Sequence, residues 1–279
     1  MLKTGKKYMI RCDMEGVSGV VSYEQAEPGK SEFDFGKKMF MSDLMSAVTG
    51  LNHGGAGEIV IYDEHFHGRN IDLDKLPANT SAICGKPPYT ENWAGGLDNT
   101  FDGLILIGFH SKAGTPGALL NHTYEPDIRE IKLNGISVGE IGIEAAIAGD
   151  YNVPLLMVTA DSEGAAEAEK LIPGVRTVAV KASLCENGAI CYSLELTSKM
   201  IYEAAGKIVT DPPEVRPYRA ETGTRLEIVL NKGHYRSAYE ELYPDSISGG
   251  TTTIIKSRTT EAWAEYWARK LKCAEVVEK

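Results

Sequence analysis

The stretch YMIRCDMEGVSG, residues 8–19, changes character halfway along its length. Its first five residues are mostly apolar and typical of a buried strand, and two acids and two glycines follow them. Asp13 and Glu15 stand two positions apart, and side chains at that spacing share one face of an extended segment. The stretch therefore predicts a buried strand that delivers two carboxylates into one cleft at its carboxyl end.

Apolar runs followed by polar residues recur along the first two-thirds of the chain. EIVIY (58–62) and GLILIGF (103–109) are apolar on both faces, which is typical of a parallel sheet covered by helices. IKLNGISVG (131–139) instead indicates a hairpin that turns at Asn134-Gly135. We predict an α/β fold with a mostly parallel sheet flanked by helices. The expected strands are Tyr8–Asp13, Glu58–Asp63, Gly103–Phe109, Leu155–Thr159 and Thr177–Val180, and the expected helices are Phe35–Leu51, Glu140–Tyr151 and Glu163–Leu171.

The sequence pattern shifts after about residue 181. TDPPEVRPYR (210–219) is rich in proline and typical of a crossing between substructures. Expected strands at 224–230 and 251–256 follow it, and a final helix is expected from near Thr259. We therefore predict an α/β core over residues 1–180 and a smaller α+β lobe over residues 181–279, packed together as one unit.

The composition argues against several classes of function. The chain has 279 residues, 43% hydrophobic and 24% charged, as is ordinary for a soluble enzyme. A net charge of −10 disfavours a nucleic-acid surface, and no apolar run is long enough for a membrane span or a signal peptide. The five cysteines are an odd number, which argues against a disulfide framework. We predict a cytoplasmic protein with no nucleic-acid or membrane partner.

Acids and histidines collect after the predicted strands. Asp13 and Glu15 follow the first strand, His65 the second and His110 the third, and His122 ends the loop that leaves the third strand. Ligands of open parallel sheets bind beyond the carboxyl ends of the strands. Carboxylates with neutral imidazoles suit zinc, manganese or cobalt, and two ions sharing one carboxylate would offset the repulsion between neighbouring acids. The pattern predicts a metal site.

Each of these residues also has an ordinary structural explanation. An aspartate after a strand is often a helix N-cap or a turn former, and we expect Asp63 to be a structural acid behind the site. A histidine at a strand end is more often satisfied by hydrogen bonds than bound to a metal. The metal hypothesis therefore depends on the convergence of several such residues at several strand ends.

Five motifs give the chain a resemblance to a known family. They are DMEGVSG (13–19), DEHFHGRN (63–70), GFHSKAGTPG (108–117), NH (121–122) and NGISVGEIG (134–142). Their order resembles that of the M55 metallopeptidases, and the similarity extends over almost the whole chain.

The resemblance implies an aminopeptidase with a binuclear zinc site. It implies that metal-activated water hydrolyses the N-terminal residue of short peptides or amino-acid amides, with a preference for D-residues, in a ring-shaped homo-oligomer that is decameric in the known case. Glu140 enters the ligand set through the resemblance alone, and His122 matches a catalytic histidine at the end of a loop that is one residue longer here. The implied metal ligands are Asp13, Glu15, His65, His110 and Glu140.

Two alternatives stay open at this point. The acids after the first strand are similar to those of haloacid-dehalogenase-like magnesium phosphatases, in which Asp13 would be the nucleophile and Glu15 the acid/base. That reading leaves the strand-end histidines without a role, and later acids match its pattern poorly. The second alternative is a non-catalytic metal-binding α/β protein, although a glycine-rich loop ending in His122 is more typical of a substrate-facing element.

Overall fold

Two sheets organise the chain in a computed structural model, which describes residues 5–219 and 223–277. The strands are β1 (Lys7–Cys12), β2 (Glu58–Asp63), β3 (Thr80–Ile83), β4 (Gly103–Phe109), β5 (Ile128–Leu133), β6 (Ile136–Val138), β7 (Leu155–Asp161), β8 (Arg176–Cys185), β9 (Gly188–Cys191), β10 (Thr224–Leu230), β11 (Ile247–Ser248) and β12 (Thr251–Lys256). The helices are α1 (Tyr23–Ala26), α2 (Phe33–Gly54), α3 (Glu140–Asp150), α4 (Ser162–Leu171), α5 (Leu194–Thr210), α6 (His234–Leu242) and α7 (Thr259–Val277).

The first sheet has seven strands in the order β3-β2-β1-β4-β7-β8-β9. All of its neighbouring strands run parallel except the β8–β9 pair, which is antiparallel. β4 and β7 are buried along their full length, as strands covered on both faces must be. The predicted α/β fold with a mostly parallel sheet is confirmed.

The second sheet has five antiparallel strands in the order β11-β12-β10-β5-β6. Its β5–β6 hairpin turns at Asn134 and Gly135, both of which have positive φ angles, so the predicted hairpin is confirmed. The sheet takes strands from both sides of residue 180. The predicted division into residues 1–180 and 181–279 stays a prediction, and its outermost residues 1–4 and 278–279 lie outside the described chain.

Helix α3 lies between the two sheets and is buried on every side. Ile141 and Ala145 pack with side chains of the first sheet, whereas Ile143 and Ile147 pack with side chains of the second. Helices α2 and α5 cover the opposite face of the first sheet. A helix with apolar side chains on opposite faces is stable when enclosed in this way, and its enclosure holds Glu140, the first residue of α3, between the sheets.

None of the helices in the described ranges combines the length and apolar character that a membrane crossing requires.

Candidate metal centre

The predicted site residues meet because the strands that carry them are neighbours. Strand β1 lies between β2 and β4, and Cys12 at its end is in register with Asp63 of β2 and Ile107 of β4. The loops that follow these three strands therefore leave the sheet side by side. This arrangement brings Asp13, His65 and His110 to one cleft, as the sequence pattern predicts.

Two glycines let the loops after β1 and β4 approach each other closely. The Gly16 N–H donates to the Gly108 carbonyl oxygen at 2.7 Å. A Cβ atom at Gly16 would lie 1.7 Å from the Phe109 carbonyl oxygen, and one at Gly108 would lie 2.3 Å from the Asp13 carbonyl oxygen. Gly108 also has a φ of +74°. Larger residues would separate Asp13 from His110.

One group of possible metal ligands consists of Asp13, Glu15 and His65. Their ligand atoms all lie within 4.8 Å of one another. The Nδ1 atom of His65 is 2.9 Å from Asp13 Oδ1 and 3.2 Å from Glu15 Oε2. All three residues are buried, with at most 5% of their surface exposed. A cation at this point would be shielded from bulk water.

A second group consists of His110, His122 and Glu140, whose ligand atoms also lie within 4.8 Å of one another. Glu140 Oε1 is 3.4 Å from His110 Nε2 and 3.8 Å from His122 Nε2, and the two imidazole rings are stacked with centroids 4.1 Å apart. Asp13 Oδ2 is 3.4 Å from His110 Nε2, so the two Asp13 oxygens face different groups. The second group places His122 among the possible ligands, whereas the resemblance implies a catalytic role.

Main-chain carbonyls orient all three imidazoles. With the tautomers assigned from the hydrogen-bond network, each ring donates one N–H to a carbonyl oxygen and turns its other nitrogen toward the carboxylates. The pairs are His65 Nε2 with Ala26 at 2.7 Å, His110 Nδ1 with Ser111 at 2.9 Å and His122 Nδ1 with Leu120 at 2.9 Å. Lone pairs on nitrogen therefore face negatively charged oxygens, which is repulsive unless a positive charge lies between them.

The pKa values of the buried histidines also indicate that the site requires positive charge. Burial lowers the pKa of His65, but the carboxylates of Glu15 and Asp13 outweigh it and raise that pKa well above its ordinary value. Burial likewise lowers the pKa of His110, but the carboxylates of Glu140 and Asp13 outweigh it and raise that pKa well above its ordinary value. Glu15 Oε2 and His110 Nε2 are buried, and neither atom has a hydrogen-bond partner among the described residues. The donor set fits one or two divalent cations, which would supply this charge in place of protons.

Asp63 supports the loop that carries His65. Its carboxylate accepts hydrogen bonds from the Asn70 N–H at 2.7 Å, from Asn70 Nδ2 at 3.1 Å and from the His65 N–H at 3.2 Å. The side chain is completely buried, and burial raises its pKa despite these hydrogen bonds. Asp63 thus holds the loop in place behind the cleft and does not join either ligand group.

A buried ion pair behind Glu140 was missing from the sequence analysis. The Arg11 guanidinium pairs with Glu144, one turn along α3 from Glu140, and lies 3.4 Å from Glu64. Tyr124 donates its hydroxyl to Glu144 at 2.8 Å and its main-chain N–H to Glu140 Oε1 at 2.6 Å. The only sequence signal for this network is a charged residue inside the apolar strand YMIRC.

A buried lysine holds the loop that carries Glu15, and the sequence analysis missed it as well. Lys181 Nζ donates to the carbonyl oxygens of Glu15 at 2.6 Å, Val17 at 2.8 Å and Val20 at 2.5 Å. Its side chain is completely buried, and burial lowers its pKa to about 8. A single lysine in the strand run VAVKAS is the corresponding signal.

Backbone strain concentrates beside the ligand groups. Phe66, Leu120 and Tyr124 have φ angles of 48°, 47° and 57°, a region that few residues other than glycine and asparagine adopt. Phe66 follows His65, Leu120 supplies the carbonyl that orients His122, and Tyr124 donates its N–H to Glu140. Strain of this kind persists where the surrounding structure fixes a functional conformation.

Comparisons with known proteins identify the family to which this fold and sequence belong. Residues 7–266 match the model of the M55 peptidase family, described as D-aminopeptidase. The D-aminopeptidase of Bacillus subtilis (strain 168) is 30% identical over 250 residues, which cover 89% of this chain and 90% of that protein. The solved structure of the Zn-dependent D-aminopeptidase DppA from Bacillus subtilis, described as a self-compartmentalizing protease, superposes with a TM-score of 0.87 at 27% identity and covers 98% of both chains. A family match and a fold match that both extend over nearly the whole length lead to one assignment: the chain belongs to the M55 family of peptidases.

Proposed function

We propose that this chain is an aminopeptidase with two zinc ions, which hydrolyses the N-terminal residue of short peptides or amino-acid amides. The observation that carries the proposal is the position of Asp13 between two groups of ligands. One Asp13 oxygen lies 2.9 Å from His65 and the other lies 3.4 Å from His110. A shared carboxylate of this kind is the arrangement that a pair of ions needs.

The two ions would be held by different sets of side chains. Zinc supplies Lewis acidity, which activates water and polarises a carbonyl group near neutral pH. Manganese and cobalt suit the same nitrogen and oxygen donors, and we propose zinc because the similar DppA structure is described as Zn-dependent. Asp13, Glu15 and His65 would form one set, and His110 and Glu140, with Asp13 shared, would form the other.

We assign His122 to proton transfer. Its side chain is 23% exposed, more than any of the five proposed ligands, so a substrate can reach it. Its Nδ1–H is committed to the Leu120 carbonyl, which leaves Nε2 free to accept a proton and to return it to a leaving amine. Nε2 lies 3.8 Å from Glu140 Oε1, so the proton-transfer group stands beside the proposed ligands.

The phosphatase alternative assigns Asp13 as a nucleophile. A nucleophilic carboxylate needs an oxygen directed at open space, whereas both Asp13 oxygens lie against imidazoles and only 5% of the residue is exposed. The non-catalytic alternative is disfavoured by the partly exposed His122 beside a buried charged cluster.

Substrate chirality and assembly are proposals from the similar proteins. Both are named D-aminopeptidases, and one is described as self-compartmentalizing. We therefore propose a preference for D-residues and a homo-oligomer that encloses its sites, with a decameric ring as the specific form. Light scattering on a size-exclusion column measures the assembly, and a monomer would contradict it.

The test of the function combines metal analysis with paired substrates. The purified chain is loaded with zinc, its zinc content is measured per chain, and release of ammonia is followed from D- and L-alaninamide. We expect two zinc ions per chain and faster hydrolysis of the D-amide. Two ions without hydrolysis across a wide panel of peptides and amides would contradict the aminopeptidase proposal, and faster hydrolysis of the L-amide would contradict the D-preference alone.

His122→Ala distinguishes a catalytic residue from a ligand. General acid–base catalysis contributes about 10²- to 10⁴-fold, so we expect kcat to fall by that factor while zinc content stays at two ions per chain. Loss of one ion would instead assign His122 to the ligands. His67→Ala is the matched control, because His67 lies outside both ligand groups.

A further inference from the structure

A carboxylate on helix α4 connects the two segments that carry His110 and Glu140. Glu167 Oε2 accepts a hydrogen bond from the Lys112 N–H at 2.8 Å, and Oε1 accepts one from the Gly139 N–H at 3.2 Å. Lys112 stands two residues after His110, and Gly139 directly precedes Glu140. One side chain therefore fixes both segments, although it touches neither proposed ligand.

The main chain at Gly139 packs closely against this carboxylate and against Lys112. A Cβ atom at Gly139 would lie 2.7 Å from Glu167 Oε1 and 2.7 Å from Lys112 Cβ. Lys112 Nζ also donates to Ser137 Oγ at 2.8 Å, which attaches the same loop to strand β6. The contact is thus a closely fitted junction between the loop after β4, strand β6 and the start of α3.

Helix capping alone does not account for the contact. Gly139 is the N-cap of α3 and has no side chain to cap the helix, so Glu167 supplies an acceptor there from another helix. A cap needs only that one hydrogen bond, however. The second bond, to Lys112, makes the carboxylate a bridge whose length sets the separation between the two segments.

We propose that Glu167 is a positioning residue for the half of the metal centre that contains His110 and Glu140. It acts by holding the main chain beside His110 at a fixed distance from the main chain beside Glu140. The hydrogen bonds of Glu167 do not extend to the Asp13, Glu15 and His65 half, where Lys181 and Asp63 support the loops instead. The inference rests on the proposed two-ion site and deepens it by assigning separate supports to its two halves.

The test is Glu167→Gln, with zinc affinity as the main readout. Glutamine keeps the size of the side chain, but its NH₂ group cannot accept a hydrogen bond and so opposes one of the two main-chain N–H groups. Replacing groups that hydrogen-bond to metal ligands typically costs about 10- to 100-fold in metal affinity, and we take the lower end because Glu167 acts through the main chain beside the ligands. In competition with a chromogenic chelator, we expect one zinc ion to bind as in the wild type and the other to bind at least tenfold more weakly. Glu169→Gln is the matched control, because Glu169 is exposed on the same helix.

Adding Glu167→Gln to two ligand variants shows which half of the metal centre it affects. In His65→Ala, the remaining zinc ion is expected in the His110 half, so adding Glu167→Gln should weaken its binding at least tenfold. In His110→Ala, the remaining ion is expected in the other half, and the same addition should have no effect. Equal losses in both backgrounds, or no loss in either, would overturn the positioning role.

A second variant keeps the proposal testable if Glu167→Gln folds poorly. Gly139→Ala leaves the carboxylate in place and forces the junction apart, and the φ of −101° at Gly139 is acceptable for alanine. We expect the same selective loss of one zinc ion, and unchanged affinity for both ions would refute the inference. If the wild type binds a single zinc ion, the two-ion proposal fails separately. The positioning role then stands if Glu167→Gln weakens that ion tenfold and falls if it does not.

Discussion

Asp43→Asn tests how the loop that follows strand β1 is held. Asp43 lies on α2 and is completely buried, and its carboxylate accepts hydrogen bonds from the Ser18 N–H at 2.8 Å and from Ser18 Oγ at 2.9 Å. Burial raises its pKa from 3.8 to about 6, although the Ser18 hydrogen bonds oppose the shift. The loop that follows β1 is therefore hydrogen-bonded to a carboxylate whose ionised form is costly to bury.

The size and sign of the effect follow from this pKa. The difference between 6 and 3.8 is 2.2 pH units, which at about 1.4 kcal/mol per unit corresponds to about 3 kcal/mol. Because the folded-state pKa of Asp43 is higher than its ordinary value, the protonated carboxyl group makes its full contribution to the free energy of unfolding below about pH 4. It is lost as the pH rises through 6, so ionised Asp43 makes the fold about 3 kcal/mol less stable at neutral pH than a neutral group would.

An amide at this position can satisfy every partner. The asparagine oxygen would accept from the Ser18 N–H and its NH₂ group would donate to Ser18 Oγ. The Ser18 hydroxyl can then donate to Thr197 Oγ1, which is 2.9 Å away. We therefore expect Asp43→Asn to match the wild type in stability at pH 4 and to exceed it by up to about 3 kcal/mol at pH 7.

Urea unfolding between pH 4 and pH 7.5 measures this difference. A chelator is present throughout, so that zinc release makes no contribution, and subtraction of the wild-type curve removes the titration of all other groups. Asp34→Asn is the control, since Asp34 is exposed on the same helix. A difference that does not change with pH, or a variant less stable than the wild type at pH 7, would refute the reasoning.

Three further changes have definite expected outcomes. Removal of zinc with a chelator should abolish amide hydrolysis and lower the melting temperature, and added zinc should restore both; activity that survives complete zinc removal would contradict the metal centre. Lys181→Met should lower the free energy of unfolding by about 3 kcal/mol, because three buried carbonyls lose their donor, whereas Lys170→Met, at an exposed position, should leave it unchanged in the same urea titration. Arg11→Met should cost about 3 to 5 kcal/mol by leaving Glu144 buried without its partner, and a loss below 1 kcal/mol would show that the pair is dispensable.

The elements with strong local signals were predicted well. The predicted bounds of β2, β4, β10 and β12 agree with the structure, because each is an apolar or β-branched run. Helix α2 is longer than predicted at both ends, since it begins at Phe33 and remains helical as far as Gly54. Strands β3 and β9 and helix α5 were not predicted. Strand β3 is four residues long and none of its residues is fully buried, so its pattern is weak.

Most of the candidate site could be predicted from the residues alone. Asp13, Glu15, His65 and His110 follow neighbouring parallel strands, and topology brings such residues together whatever else the chain contains. Glu140 follows no strand of the first sheet. It reaches the cleft because α3 begins there after the β5–β6 hairpin, a long-range packing relation that local patterns do not record.

The residues that support the site from behind have a sequence signal that differs from that of metal ligands. A charged residue inside an apolar strand is costly to bury unless it is paired, so its presence predicts a partner. Arg11 and Lys181 are both of this type, and both hold the main chain or side chains behind the ligand groups. A search for isolated charges within predicted strands would have found them, although it would not have named their partners.

The orientation of the histidines has no signal in side-chain identity at all. Their acceptors are the carbonyl oxygens of Ala26, Ser111 and Leu120, and every residue type has a carbonyl. The direction in which each imidazole lone pair points is therefore set by backbone conformation, and at Leu120 that conformation is a strained one with a positive φ. Two chains could share the three histidines and three acids of this site and still differ in metal affinity. The conformation of the loops directs the carbonyl oxygens, and these decide whether the imidazole nitrogens face a common point.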